Sequence, residues 1–282
     1  MPRIIALIAL MLAGTHPSVA KKAPFDAHVH LHRGEASLRE YEAQLRDTGQ
    51  PAASFAAMWF GGPNQALAGK PNEIRTNNDA IIALARKHPG MIPVATVHPY
   101  DGQAALAELQ RVGAARVRIL KIHPHTQKFD AADPRVTTLV KRAGELGIVV
   151  LIDNANILPG DSEKLFNLAL SAPKTNFVFA HIGGMNFRFW NILKAARTAE
   201  GLFGENIYFD LSATVALVAD SPIEAEFVWT LRNVGIDRVL IGSDYPQYSL
   251  KTTMDALARL DLSEAEKAKI ASGNARRLLG LR

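Results

Sequence analysis

Eight times in succession the chain passes from a short apolar segment to a longer amphipathic one, and this regularity limits the fold more than any other property of the sequence. Segments 26–30, 52–58, 92–97, 117–122, 148–152, 177–180, 207–211 and 239–241 read as strands. The stretches between them carry apolar residues at helical spacing, as in Val136, Leu139, Val140, Ala143 and Leu146. Strand-then-helix units in series imply a parallel sheet, because each parallel connection needs a crossover long enough to hold a helix. Ile148-Val149-Val150-Leu151-Ile152 is apolar without a break, as suits a strand buried on both faces. An open doubly wound sheet could also hold eight strands. Its nucleotide-binding form wants a glycine-rich turn after an early strand, and Asp26-Ala27-His28 is no such turn. The expected architecture is therefore an α/β fold of the closed (β/α)8 TIM-barrel type, one domain over residues 21–282.

The first 20 residues read differently. One positive charge at Arg3 precedes an unbroken apolar run from Ile4 to Ala13, and Ser18-Val19-Ala20 offers small residues before Lys21. This is the pattern of a secretory signal peptide, and the run is shorter than the roughly 20 apolar residues of a membrane anchor. The expectation is cleavage after Ala20 and a periplasmic or secreted protein without a stable membrane anchor. The chain has no cysteine, which excludes disulfides and a lipid-modified N-terminal cysteine. Loss of Arg3 with the leader takes the formal net charge from +5 to +4. The basic residues are scattered, so nucleic acid is not an expected partner. A small-molecule substrate is, and the sequence leaves room for a homo-oligomer.

In a barrel of this kind, polar residues at the C-terminal ends of the strands share one rim, where active sites of the fold sit. Here those ends carry His28 and His30, His98, Lys121 and His123, Asp153, His181, Asp210 and Asp244. Strand alternation places Asp26, His28 and His30 on one face, and two imidazoles at that spacing suit a divalent metal. His98, His125 and Asp210 fit structural roles in loops as well as functional ones, while Trp59, Arg188 and Tyr248 are candidate pocket walls.

Five segments, in order and on the expected elements, resemble the metal-dependent amidohydrolase superfamily. They are Asp26-Ala27-His28-Val29-His30, Lys121-Ile122-His123-Pro124, Ala180-His181-Ile182-Gly183-Gly184, Gly242-Ser243-Asp244-Tyr245-Pro246 and the stretch from Ser272 to Leu279. The resemblance is to the amidohydrolase-2 branch, which includes aminocarboxymuconate-semialdehyde decarboxylase, resorcylate decarboxylases and dicarboxylate lactone hydrolases, and it runs from Phe25 to Leu281. It implies that His28, His30 and Asp244 hold a divalent metal, zinc in first expectation, with open positions for water or substrate. Asp244 would also take the proton of the water, and His181 would act as an acid or base beside it.

One position departs from the branch, which carries a metal-binding histidine at the end of strand five. This chain has Asp153, after Val150-Leu151-Ile152. Three readings follow: Asp153 as an oxygen ligand, Lys121 as a carboxylated bridge between two metals, or a decayed metal site. The expectation adopted is Asp153 as the fourth ligand, with Lys121 anchoring a substrate carboxylate and His123 and Arg188 contacting substrate. The function expected is metal-dependent hydrolysis of a small organic acid, ester, lactone or amide. The alternatives are non-oxidative decarboxylation of a small carboxylic acid, or a non-catalytic barrel with a degenerate site.

Overall fold

The computed structural model describes residues 23–50, 54–201 and 204–281. The expected leader and its cleavage point lie outside the described residues. Eight strands form one sheet in sequence order: β1 Phe25–His30, β2 Ser54–Met58, β3 Met91–Ala95, β4 Ile119–Ile122, β5 Val149–Ile152, β6 Phe177–Phe179, β7 Ile207–Asp210 and β8 Val239–Leu240. Each pairs in parallel with the next. The ring closes where the chain beyond β8 runs beside β1: Ala27 N donates to the Ile241 carbonyl, Asp244 N to that of His28 and His30 N to that of Tyr245. This is the expected (β/α)8 barrel, and among the described residues its closed sheet leaves no strand edge open.

Alternation divides the apolar side chains into two layers. Phe25, Ala27, Met58, Val94, Leu151 and Val178 belong to an inner group that fills the barrel. Val29, Leu120, Val150, Phe179 and Phe209 pack outward, with helical residues such as Leu38, Leu109 and Leu139. Ala275 of the last helix, Asn274–Leu278, and Leu279 just beyond it join the inner group from below. They leave a residual cavity there of only about 20 Å³. The lower barrel is thus a packed core, and the cavity of the barrel opens at the other end.

β1 does not alternate strictly. Asp26 pairs with Phe55 and Val29 with Ala57, so three steps along β1 match two along β2. Ala27 and His28 together oppose Ala56, which is a β-bulge. The bulge turns His28 and His30 inward, while Asp26 faces the helix Glu35–Asp47 and accepts a hydrogen bond from Tyr41 Oη at 2.9 Å. The expectation that Asp26 shares a face with the two histidines is corrected: one extra residue reverses the side-chain direction partway along the strand.

Helices depart from expectation at two places. The stretch 187–198, whose place between strands six and seven leads one to expect a helix, belongs instead to a run of tight turns, Ala180–Asn191, followed by a short helix, Ile192–Ala196. Its start is forced open by left-handed backbone at His181 and Ile182 (φ 62° and 44°). The last helix is interrupted by a π turn at Lys269–Gly273 between Glu264–Ala268 and Asn274–Leu278.

Candidate metal centre

The inward histidines of β1 stand at the bottom of a cavity of about 810 Å³ that opens at the C-terminal ends of the strands. His28 is 1% exposed, and its Nδ1 lies 3.0 Å from Asp210 Oδ2 and 3.2 Å from Ser212 Oγ. His30 Nδ1 lies 2.6 Å from the Phe60 carbonyl oxygen. A carbonyl only accepts, so His30 Nδ1 carries the proton, and the carboxylate of Asp210 imposes the same tautomer on His28. Both Nε2 atoms are then left with lone pairs. They face each other at 3.1 Å, and Asp244 Oδ1 lies 3.5 Å from one and 3.2 Å from the other. Three acceptors within 4.8 Å of one another repel unless a proton or cation lies among them. Two imidazole nitrogens and a carboxylate are a donor set suited to a divalent transition metal, with each histidine oriented from behind by a carboxylate or carbonyl.

Backbone geometry makes the convergence possible. Asp244 sits in the left-handed region at φ 57°, which directs its carboxylate back over β1. Gly61, in the loop three residues beyond β2, has φ 117°, and a Cβ there would lie 2.5 Å from His30 Nδ1. A Cβ at Gly242 would lie 2.8 Å from that of His28. Glycine at both positions lets two neighbouring strands approach the imidazoles. Burial and the nearby Lys121 amine push the pKa of His28 down to about 4, so its ring is neutral. Burial pushes Asp244 up, but the His28 and His30 side chains beside it prevail and hold it at about 2.

A second group lies across the floor. Lys121 is 1% exposed, and its Nζ is 3.3 Å from His28 Nε2. Burial lowers its pKa, against the opposing pull of Asp153, Asp210 and Asp244. Asp153 Oδ2 stands 3.2 Å from His181 Nε2 and 3.5 Å from His123 Nε2. His181 Nδ1 donates to the Ser212 carbonyl at 3.0 Å, so Nε2 is free to hold a second proton against Asp153. Burial works against that charge, yet the hydrogen bond and charge of Asp153 raise the His181 pKa to about 9. Burial likewise opposes ionisation of Asp153, but His181, His123 and Lys121 hold its carboxyl far below the usual range. The two form a buried imidazolium–carboxylate pair.

Of the residues singled out from the sequence, His28, His30, Lys121, His123, Asp153, His181 and Asp244 all line the one cavity. Asp153 stands with His181 and His123, not within the group of His28, His30 and Asp244. Arg188 is not a cavity residue: the turns after β6 aim it outward, where it pairs with Glu226 at 2.6 Å. Trp59 is buried and donates to Asn78. His98 is structural too, with Nε2 on the Gln127 carbonyl and Nδ1 accepting from Tyr100 N. Sequence reasoning undervalued Asp210, which is fully buried, orients His28 and accepts from Ser212 N at 2.9 Å. It missed Ser212, whose Oγ touches both His28 and His181. The signal for Asp210 was present, an acid at a strand end. A serine two residues further on carries none.

Known structures resemble this arrangement in fold. A putative amidohydrolase from Staphylococcus aureus is 19% identical with a TM-score of 0.73, the match covering 92% of this chain and 100% of that one. The 5-carboxyvanillate decarboxylase LigW from Sphingomonas paucimobilis is 16% identical with a TM-score of 0.72, covering 92% and 99%. A dihydroxybenzoic acid decarboxylase from Polaromonas with bound manganese is 15% identical with a TM-score of 0.68, covering 92% and 97%. No curated protein sequence matches the chain. The family model described as Amidohydrolase matches residues 25–281, all but the N-terminal segment and the last residue. Over that whole length the chain belongs to the amidohydrolase family.

Proposed function

We propose that this protein is a metal-dependent, non-oxidative decarboxylase of a small carboxylic acid. The observation that carries the reading is the convergence of two proton-free imidazole nitrogens and the Asp244 carboxylate beside a floor that bears Lys121 and protonated His181. Such a floor suits a substrate carboxylate. The likeness to two decarboxylases, one of them holding manganese, supports decarboxylation over hydrolysis. His28, His30 and Asp244 would hold the ion, and the donor set accommodates zinc or manganese. When bound, the ion would polarise a substrate oxygen and stabilise negative charge.

The residues of the chain supply the rest. Lys121 draws the substrate carboxylate to the floor. The bond between the carboxylate and its neighbouring carbon breaks, carbon dioxide leaves, and the electron pair stays on that carbon. His181 gives the carbon a proton, and Asp153 stabilises the imidazolium until then and orients the ring. Solvent restores the proton. Asp153 acts in this scheme through His181 and not as a metal ligand.

Hydrolysis of an ester, lactone or amide is the second reading. It is favoured by Asp244, which is held ionised and close to both imidazoles, ready to take a proton from water. The test uses metal-loaded protein with carboxyl-labelled aromatic and unsaturated acids in deuterated water. Decarboxylation releases labelled carbon dioxide and leaves one deuterium on the product. Release of acid from esters or lactones, with no carbon dioxide from any acid, would establish hydrolysis instead. Elemental analysis before and after His28→Ala and His30→Ala tests the ligand set.

A further inference from the structure

Among the described residues seven large apolar side chains are exposed, and four of them, Ile157, Leu158, Met185 and Leu217, line the cavity above the candidate metal centre. Their exposures are 79, 53, 51 and 55%. Ile157 and Leu158 follow β5, Met185 follows β6, and Leu217 lies on the short helix Thr214–Val218 after β7. These strands are consecutive in the barrel, so the four side chains form one continuous arc of the rim. The segments after β1, β4 and β8 contribute the polar side chains His32, His125, Thr126 and Gln247, beside Gly61 and Gly62 after β2 and Pro246. The cavity is therefore amphipathic by sector, and it is roomier than a bare carboxylate requires.

Apolar groups this exposed gain by being covered, and their placement names what covers them. A second copy of the chain seated on the arc would also roof the mouth of the cavity and bar substrate from it. A small ligand that enters the cavity covers the arc without that conflict. We propose that the arc is a binding subsite for the apolar body of an amphipathic acid, whose carboxylate reaches the polar floor. For the carboxylate end this rests on the reading given under Proposed function. The arc itself requires only an apolar group. Ile157, Leu158, Met185 and Leu217 then set specificity by length and apolar area, while the floor sets the chemistry.

The test is calorimetric titration of the metal-loaded protein with straight-chain carboxylates from acetate to octanoate. Full burial of one methylene tightens binding about fourfold, so a partly open subsite should give about two- to fourfold per added carbon. Leu217→Ser and Met185→Ser, both at exposed positions that folding does not depend on, should lower that increment. Leu217→Asp should abolish it at the chain lengths that reach the arc. Metal-stripped protein should show weaker binding with the same increment, because the arc does not touch the ion. Equal affinity along the series overturns the proposal, as does an unchanged increment in all three variants. So does light scattering that finds a dimer dissociated by Leu217→Asp, since the arc would then be a subunit contact. If the increment is present but no acid is decarboxylated, the subsite stands and the decarboxylase reading falls.

Discussion

Asp153 and His181 face each other at 3.2 Å, and what each does to the other can be measured separately from catalysis. Because Asp153 lies apart from His28, His30 and Asp244, Asp153→Ala should change metal affinity by no more than about threefold while His181 loses its charge partner. Competition with a chromophoric chelator measures this, and a loss of a hundredfold would make Asp153 a ligand. Asp210→Asn should behave in the opposite way. It removes the carboxylate that fixes the His28 tautomer, and such outer partners are commonly worth about 10- to 100-fold in metal affinity. The pair also predicts a pH dependence. The pKa of His181 is raised from 6.5 to about 9 on folding, so its contribution to stability is complete below about pH 6.5 and disappears as the pH rises through 9. Thermal melts of metal-free protein should show a fall in midpoint across that window, flattened in Asp153→Asn. A melt profile with the same slope in both proteins would refute the pairing.

Among the elements, β1 shows most plainly what could and could not be read from the chain. The barrel was legible because eight apolar segments at regular spacing leave few other ways to bury them. The two histidines proposed as ligands were legible because they end a strand. The direction of Asp26 was not, because a bulge depends on pairing between strands and leaves no mark on composition. Asp26 is the residue that holds the bulge: its Oδ1 accepts from His28 N at 3.2 Å and Ser243 N at 2.8 Å, and Oδ2 accepts from Tyr41 Oη. Asp26→Ala strands three buried donors, at about 1–3 kcal/mol for each left unsatisfied. It should lower the denaturation midpoint sharply and weaken metal binding with it. Arg188 misled for a related reason: the turns after β6 have left-handed backbone that a helical reading of the segment does not contain. Gly61→Ala isolates the geometry of β2 from that of β1. Its Cβ would displace the His30 ring, so metal affinity should fall by about tenfold or more, with little change in circular dichroism.

At the scale of the whole molecule, the division between a filled lower barrel and an open upper cavity separates what stabilises the protein from what gives it a function. Among the described residues no helix is long and apolar enough to cross a membrane. We expect N-terminal sequencing of extracytoplasmic material to begin at Lys21, and recovery of an intact Met1 there would reject the leader assignment. The closure of the ring has a further consequence, for the order of events during synthesis. β1 is made first, yet its partners on one side are residues 241–245, and the side chains that seal the barrel from below are Ala275 and Leu279. Until residues 241–279 have been made, the inner face of the strands lacks the side chains that seal it and the first strand has one neighbour instead of two. Inner-face side chains such as Phe25 and Met58, buried in the finished protein, are therefore left open to aggregation for most of elongation.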